Sequence, residues 1–180
     1  YQMRKQSIKS TLKEFFLHNP SSKLRVREIE RELQLPLPSV IRYCKELEEE
    51  KILQRIHISN ITLYTANRTS AEYNVEKKIH NLRQLYLSGL ISFLKKETVN
   101  APIVVFGSFA KGEDTETSDI DVFIQSNTIP SVEKFAKKLK KNIHIFGHDN
   151  INDIKNNHLK NNIVNGITVN NILEVFNERG

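Results

Sequence analysis

Cysteine is almost missing from this chain. Cys44 is the single one among 180 residues, so no internal disulfide can form and neither a disulfide scaffold nor a cysteine-based zinc site is available. A reducing compartment is expected. Glycine (6) and proline (5) are too few for a collagen-like or loop-dominated chain. The longest mostly apolar stretch, Leu85 to Leu94, falls far short of the ~20 residues a membrane span needs. No charged-then-apolar secretory start is visible. These absences lead us to expect a soluble, cytoplasmic protein with no membrane partner. Hydrophobic residues make up 38% and charged residues 27% of the chain, and the mean hydropathy is −0.45. That supplies one or two modest cores and excludes wholesale disorder. Against ~150 residues per domain, the length suggests one domain or two small ones.

Aspartate is absent from residues 1–68, which hold 13 Lys/Arg against 8 Glu, whereas residues 69–180 hold 14 Lys/Arg against 13 Asp/Glu. The formal charge of +6 therefore sits mainly in the first third. Such an excess favours a polyanionic partner, because neutralised phosphates release counterions. A solvated basic surface is the plain alternative.

In residues 1–68, Ile8, Leu12, Phe15 and Phe16 recur at helical spacing and predict a helix over 5–18, stopped at Asn19-Pro20. An extended Lys23-Leu24-Arg25 precedes a helix over 26–34 with Ile29 and Leu33 on one face. After Leu35-Pro36-Leu37-Pro38, a third helix is expected over 39–51, turning Val40, Tyr43, Cys44 and Leu47 inward. Two β-rich runs, 52–59 and 61–66, flank a Ser59-Asn60 turn and read as a hairpin. This order resembles a winged helix-turn-helix domain, with Lys51 where a glycine usually stands before the wing. The resemblance implies DNA binding, with Ser39, Arg42 and Lys45 on the outward face of the third helix and Arg55 on the wing. Glu46, Glu48, Glu49 and Glu50 at that helix's far end would have to point away from the duplex. A winged helix used for protein contacts is the competing use.

Ser70 is a plausible N-cap for a long helix over 71–97, carrying Val75, Ile79, Leu82, Tyr86, Leu90, Phe93 and Leu94 at three- and four-residue steps. We read it as the connection, residues 69–98, that packs against the following domain. A seam with a second copy is the other use of such a stripe.

The chemistry is concentrated in residues 101–125. The apolar run Pro102 to Phe106 predicts a buried strand that leads into Gly107-Ser108-Phe109-Ala110-Lys111-Gly112. A loop containing Glu113, Asp114 and Glu116 is expected to be solvated and mobile. A second strand opens with Asp119-Ile120-Asp121. Two-residue spacing on a strand puts both carboxylates on one face, a hard-oxygen site suited to Mg²⁺ or Mn²⁺. Gly107 allows a backbone to approach phosphate without a Cβ in the way. Ser108 supplies a hydroxyl and an N–H near a helix start, and Lys111 a positive charge.

A Gly-Ser pair at a strand-to-helix turn, ten residues (Phe109 to Ser118), then Asp-x-Asp on the next strand resembles the nucleotidyltransferase superfamily of DNA polymerase β, especially its minimal nucleotidyltransferases. The resemblance implies a domain over 99–180 with a short mixed sheet flanked by helices. The expected fold class is thus α/β (α+β), a winged helix followed by a nucleotidyltransferase-like domain. It also implies an NTP substrate, triphosphate contacts from Gly107 and Ser108, and metal binding by Asp119 and Asp121.

The chain departs from that pattern further on. A helix over 131–141 and a strand over 142–146 are expected, and the position that carries a third carboxylate in complete members of the superfamily is His144. Imidazole is a poor ligand for a hard cation but a usable base near neutral pH. Asp149 or Asp153 could fold back instead. Helix over 153–165, a strand over 167–169 and a helical turn over 172–176 complete the expected elements. Two functions follow: a Mg²⁺-dependent transferase moving NMP from an NTP to a hydroxyl acceptor, or a DNA-binding regulator whose second domain binds nucleotide or a protein without catalysis. Half of a toxin–antitoxin pair, working beside a small helical partner, is a third.

Overall fold

The computed structural model describes residues 7–176. Two compact units divide between His80 and Asn81. The expected helix start at Lys5 lies outside the described residues.

The first unit runs α1 (Ile8–His18), α2 (Val26–Leu33), α3 (Leu37–Glu49), then the hairpin β1 (Leu53–Ile58) and β2 (Ile61–Ala66). Ser7 caps α1 through its hydroxyl, which accepts the Ser10 N–H at 3.2 Å. Pro38 sits in the first turn of α3, where its missing N–H costs nothing. The extended Leu24 forms an antiparallel bridge with Tyr64 of β2, tying the segment between α1 and α2 to the hairpin. Leu12, Phe16, Ile29, Val40, Cys44, Leu47, Leu53 and Tyr64 make one core. Burial pushes the Cys44 thiol up to about 12, with help from Glu48, so it remains an inert apolar filler. Lys51 has φ +58. That left-handed conformation, which costs a side-chain-bearing residue about 1–2 kcal/mol, explains why glycine would suit the position.

The single helix expected over 71–97 is two. α4 (Ala71–Ser88) ends at Gly89, whose φ of +86 breaks the helix, and α5 (Leu90–Glu97) follows. The Ser88 hydroxyl donates to the Leu85 carbonyl at 2.7 Å and accepts the Leu90 N–H at 3.1 Å, so the break is capped from within. The buried face of α4 also differs from the expected stripe. Val75, Ile79 and Tyr86 are exposed, while Tyr73, Lys77, His80, Asn81 and Leu85 are buried. Polar groups can occupy that face because they are bonded there: Lys77 Nζ donates to the Leu17 carbonyl at 2.7 Å, and Asn81 donates to the Phe109 carbonyl at 2.8 Å.

The second unit has a four-stranded mixed sheet. Its strands are β3 (Ile103–Phe106), β4 (Ile120–Ile124), β5 (Ile143–Gly147) and β6 (Ile167–Asn170), in the order β5-β4-β3-β6. Strand β3 is antiparallel to β4 and β6, and β4 is parallel to β5. The parallel step requires a crossover, supplied by α7 (Glu133–Leu139). Both faces are covered, which is why β3 reads as an unbroken apolar run. Ile103, Val105, Ile120, Val122 and Ile124 pack with Leu85, Leu90, Leu94 and Phe135. Val104, Phe106 and Phe123 pack on the other side with Ile151, Ile154 and Ile163.

The asparagine-rich end uses its bias for caps. Instead of one helix over 153–165 there is a 3-10 turn (Ile151–Asp153), then α8 (Asn157–Val164), whose N-cap Asn156 accepts the His158 and Leu159 N–H groups through its side-chain oxygen. Residues 172–176 are not helical. Among the described residues, no helix is long and apolar enough to cross a membrane.

Candidate functional site

Strand β3 ends where Phe106 pairs with Asp121 of β4, and the chain turns at Gly107 (φ +74) into the short helix α6 (Gly107–Lys111). A Cβ at Gly107 would lie 2.6 Å from Asp121 Oδ2. Glycine is thus required twice, by its left-handed backbone and by the carboxylate lying against it. Ser108, the second residue of α6, is half-buried, and Lys111, its last, is exposed.

Asp119 and Asp121 sit at the start of β4, on the side opposite the buried Ile120. On the neighbouring β5, His144 is the register partner of Asp121. Its Nδ1 lies 3.6 Å from Asp121 Oδ1 and its Nε2 3.8 Å from Asp119 Oδ2. Burial raises the Asp121 carboxyl above the usual carboxylate range; the facing His144 opposes this and the nearby Asp119 charge adds to it. Gly107, Asp119, Asp121 and His144 therefore meet at adjacent strand ends.

Among the described residues, no third carboxylate joins them. Asp149 instead accepts a hydrogen bond from Asn127, and Asp153 lies in the 3-10 turn. Among the described residues, no group of three or more His, Cys, Asp or Glu side chains is arranged to hold a metal ion.

The loop before Asp119 is not the solvated element its acidic text suggests. Asp114 is 1% exposed. Its Oδ1 accepts from Asn81 at 2.6 Å, and its Oδ2 lies 3.3 Å from Lys141 Nζ. Lys141 also donates to the Ser118 carbonyl at 3.2 Å, and the Ser118 hydroxyl accepts the Thr115 N–H at 2.9 Å. The loop is thus pinned immediately ahead of Asp119. Asn142 adds a second restraint: its side-chain amide donates to Asp119 Oδ1 at 3.1 Å, and its carbonyl accepts the Ile120 N–H at 2.9 Å. Sequence reasoning missed Asn81, Asp114, Lys141 and Asn142. Only Asn142 carried a readable signal, since it stands two residues before His144 and so faces the same way along an extended chain.

The basic residues expected to face DNA are placed differently from one another. On α3, Ser39 in the first turn is half-buried and Lys45, two turns further on, is exposed. Arg42 stacks on Tyr43, with its guanidinium carbon 4.3 Å from the ring centroid, and lies 3.7 Å from Glu46. Arg55 is paired with Glu48 at 2.6 Å.

Neither the curated proteins nor the solved structures gave a significant match. Residues 87–165, the stretch that holds Gly107, Ser108, Asp119, Asp121 and His144, match the family model described as nucleotidyltransferase domain, which supports the nucleotidyltransferase superfamily for the second unit.

Proposed function

We propose that the second unit transfers a nucleoside monophosphate from an NTP to a hydroxyl acceptor and releases pyrophosphate. The convergence of Gly107 with Asp119 and Asp121 carries this reading, supported by the family match over the same residues. Two half-exposed carboxylates on one side of a strand suit a small hard cation such as Mg²⁺, which binds through one or two carboxylates, keeps several waters and shares substrate phosphates. Asp119 and Asp121 would hold it, and His144 is not counted as a ligand. When bound, the cation neutralises charge developing on the phosphates.

The remaining work falls to the chain's own groups. Gly107 presents bare backbone to the triphosphate, and the Ser108 hydroxyl and Lys111 amine offer donors to its oxygens. Asn142 and the pinned loop hold Asp119 in place. The acceptor oxygen attacks the α-phosphorus, the bond from that phosphorus to the bridging oxygen breaks, and pyrophosphate leaves. The acceptor proton passes to His144, the exposed base between the two acids. We further propose that the first unit is a winged helix that binds DNA. Its helix order and the Leu24–Tyr64 bridge support this.

A second reading has one observation in its favour: imidazole, not carboxylate, faces the two aspartates. On that reading nucleotide is bound but not turned over. Incubation with labelled NTPs and Mg²⁺ separates the two. Label transfer is expected from the wild type. Because cation binding contributes several kcal/mol to such reactions, Asp119→Ala/Asp121→Ala should slow it by about a thousandfold or more. Nucleotide binding without transfer or pyrophosphate release, across protein, RNA and DNA acceptors, would establish the second reading instead.

A further inference from the structure

We infer that the first unit grips the phosphate backbone of duplex DNA through the arginines of α2 and the β1–β2 turn, and not through the arginines of α3 and β1. This rests on the DNA-binding reading above. On the expected surface, both arginines are already engaged. Arg55 is ion-paired with Glu48, and Arg42 is stacked on Tyr43 beside Glu46. A phosphate approaching either one also meets its carboxylate, and Glu46 and Glu50 are held nearby by Lys9 at 2.9 and 2.6 Å. Repulsion and loss of the existing pair offset what the phosphate contact would contribute.

The start of α2 and the hairpin turn enclose a pocket of about 480 Å³ lined by Arg25, Arg27, Arg31, Asn60 and Thr62. A water molecule's share of liquid is about 30 Å³, so the pocket has room for phosphate groups with their hydration. Its single acid, Glu28, is occupied at the helix start, where Oε2 accepts the Arg25 backbone N–H at 2.7 Å. Arg27 and Arg31 are exposed and form no ion pair among the described residues. They stand four apart on α2, hence on one face. Asn60 adds an amide donor from the turn, and Thr62 on β2, whose hydroxyl lies 3.2 Å from His57 Nδ1, lines the pocket beside it. Free guanidinium groups, neutral donors and an acid already engaged make a surface complementary to a run of phosphates.

The test uses the full chain and a fluorescently labelled mixed-sequence DNA duplex, with anisotropy measured across a potassium chloride series. Arg27→Gln/Arg31→Gln should weaken binding about tenfold or more and lower the salt slope by about 2, one unit per lost phosphate contact. Arg42→Gln should change affinity less than about threefold. The substituted side chains are exposed, and unchanged circular dichroism will confirm folding. Loss of binding in Arg42→Gln with none in the α2 double variant would return the contact to α3 and overturn the inference alone. Absence of duplex binding by the wild type, or a preference for single-stranded RNA or an acidic peptide, would overturn it together with the DNA reading.

Discussion

Replacing Gly107 with alanine is expected to lower nucleotidyl transfer by about a hundredfold or more while the protein still folds. The backbone there has φ +74, which costs a residue with a Cβ about 1–2 kcal/mol. The added carbon would lie 2.6 Å from Asp121 Oδ2, closer than any real contact. The β3–β4 ladder fixes the Asp121 backbone, so only the side chain can yield, and its carboxylate must leave the position it holds against Gly107. A misplacement on the order of 1 Å can cost about a hundredfold in rate. Transfer kinetics beside urea unfolding would check this. A wild-type rate in Gly107→Ala would mean that Asp121 need not stand where the structure puts it.

Asp114→Ala should strongly destabilise the second unit. Its carboxylate side chain is fully buried, and that of Lys141 is 14% exposed. Removing one partner of a buried pair strands the other and typically costs about 3–5 kcal/mol. Asn81 would lose an acceptor as well. The urea midpoint should fall accordingly, and transfer should weaken because Lys141 would no longer be fixed against the Ser118 carbonyl ahead of Asp119. A loss below about 1 kcal/mol would show that the loop is held by its backbone alone.

These effects mark what could be read from the sequence. The Gly107-to-Asp121 geometry was legible because it is local: a glycine at a turn, ten residues, and alternate acids on a strand whose partner is one hairpin away. The apolar runs of β3 and β4 were equally plain, since burial on both faces leaves no alternation to misread. Asp114 was not legible. Among glutamates and threonines it looks solvated, and the partners that make its burial tolerable, Asn81 and Lys141, come from α4 and from the end of the crossover. The break at Gly89 was hidden because the apolar stripe continues through it, while the deciding bonds come from the small Ser88 side chain. The ion pairs of Arg42 and Arg55 were hidden for a related reason. The glutamates that engage them were expected to point away from the face carrying Arg42, but helical geometry brings Glu46 under Arg42, and the fold brings Glu48 to Arg55. The fold class and the acidic pair are therefore properties of local pattern, whereas the restraints on that pair depend on tertiary contacts.

The glycine–serine turn and the paired aspartates should together hold a cation-bound triphosphate. Calorimetric titration with a non-hydrolysable NTP analogue, with and without Mg²⁺ or Mn²⁺, measures this most directly. Binding should require the divalent ion and disappear in Asp119→Asn/Asp121→Asn. Binding of equal strength without the ion, or an unchanged affinity in the double variant, would contradict it.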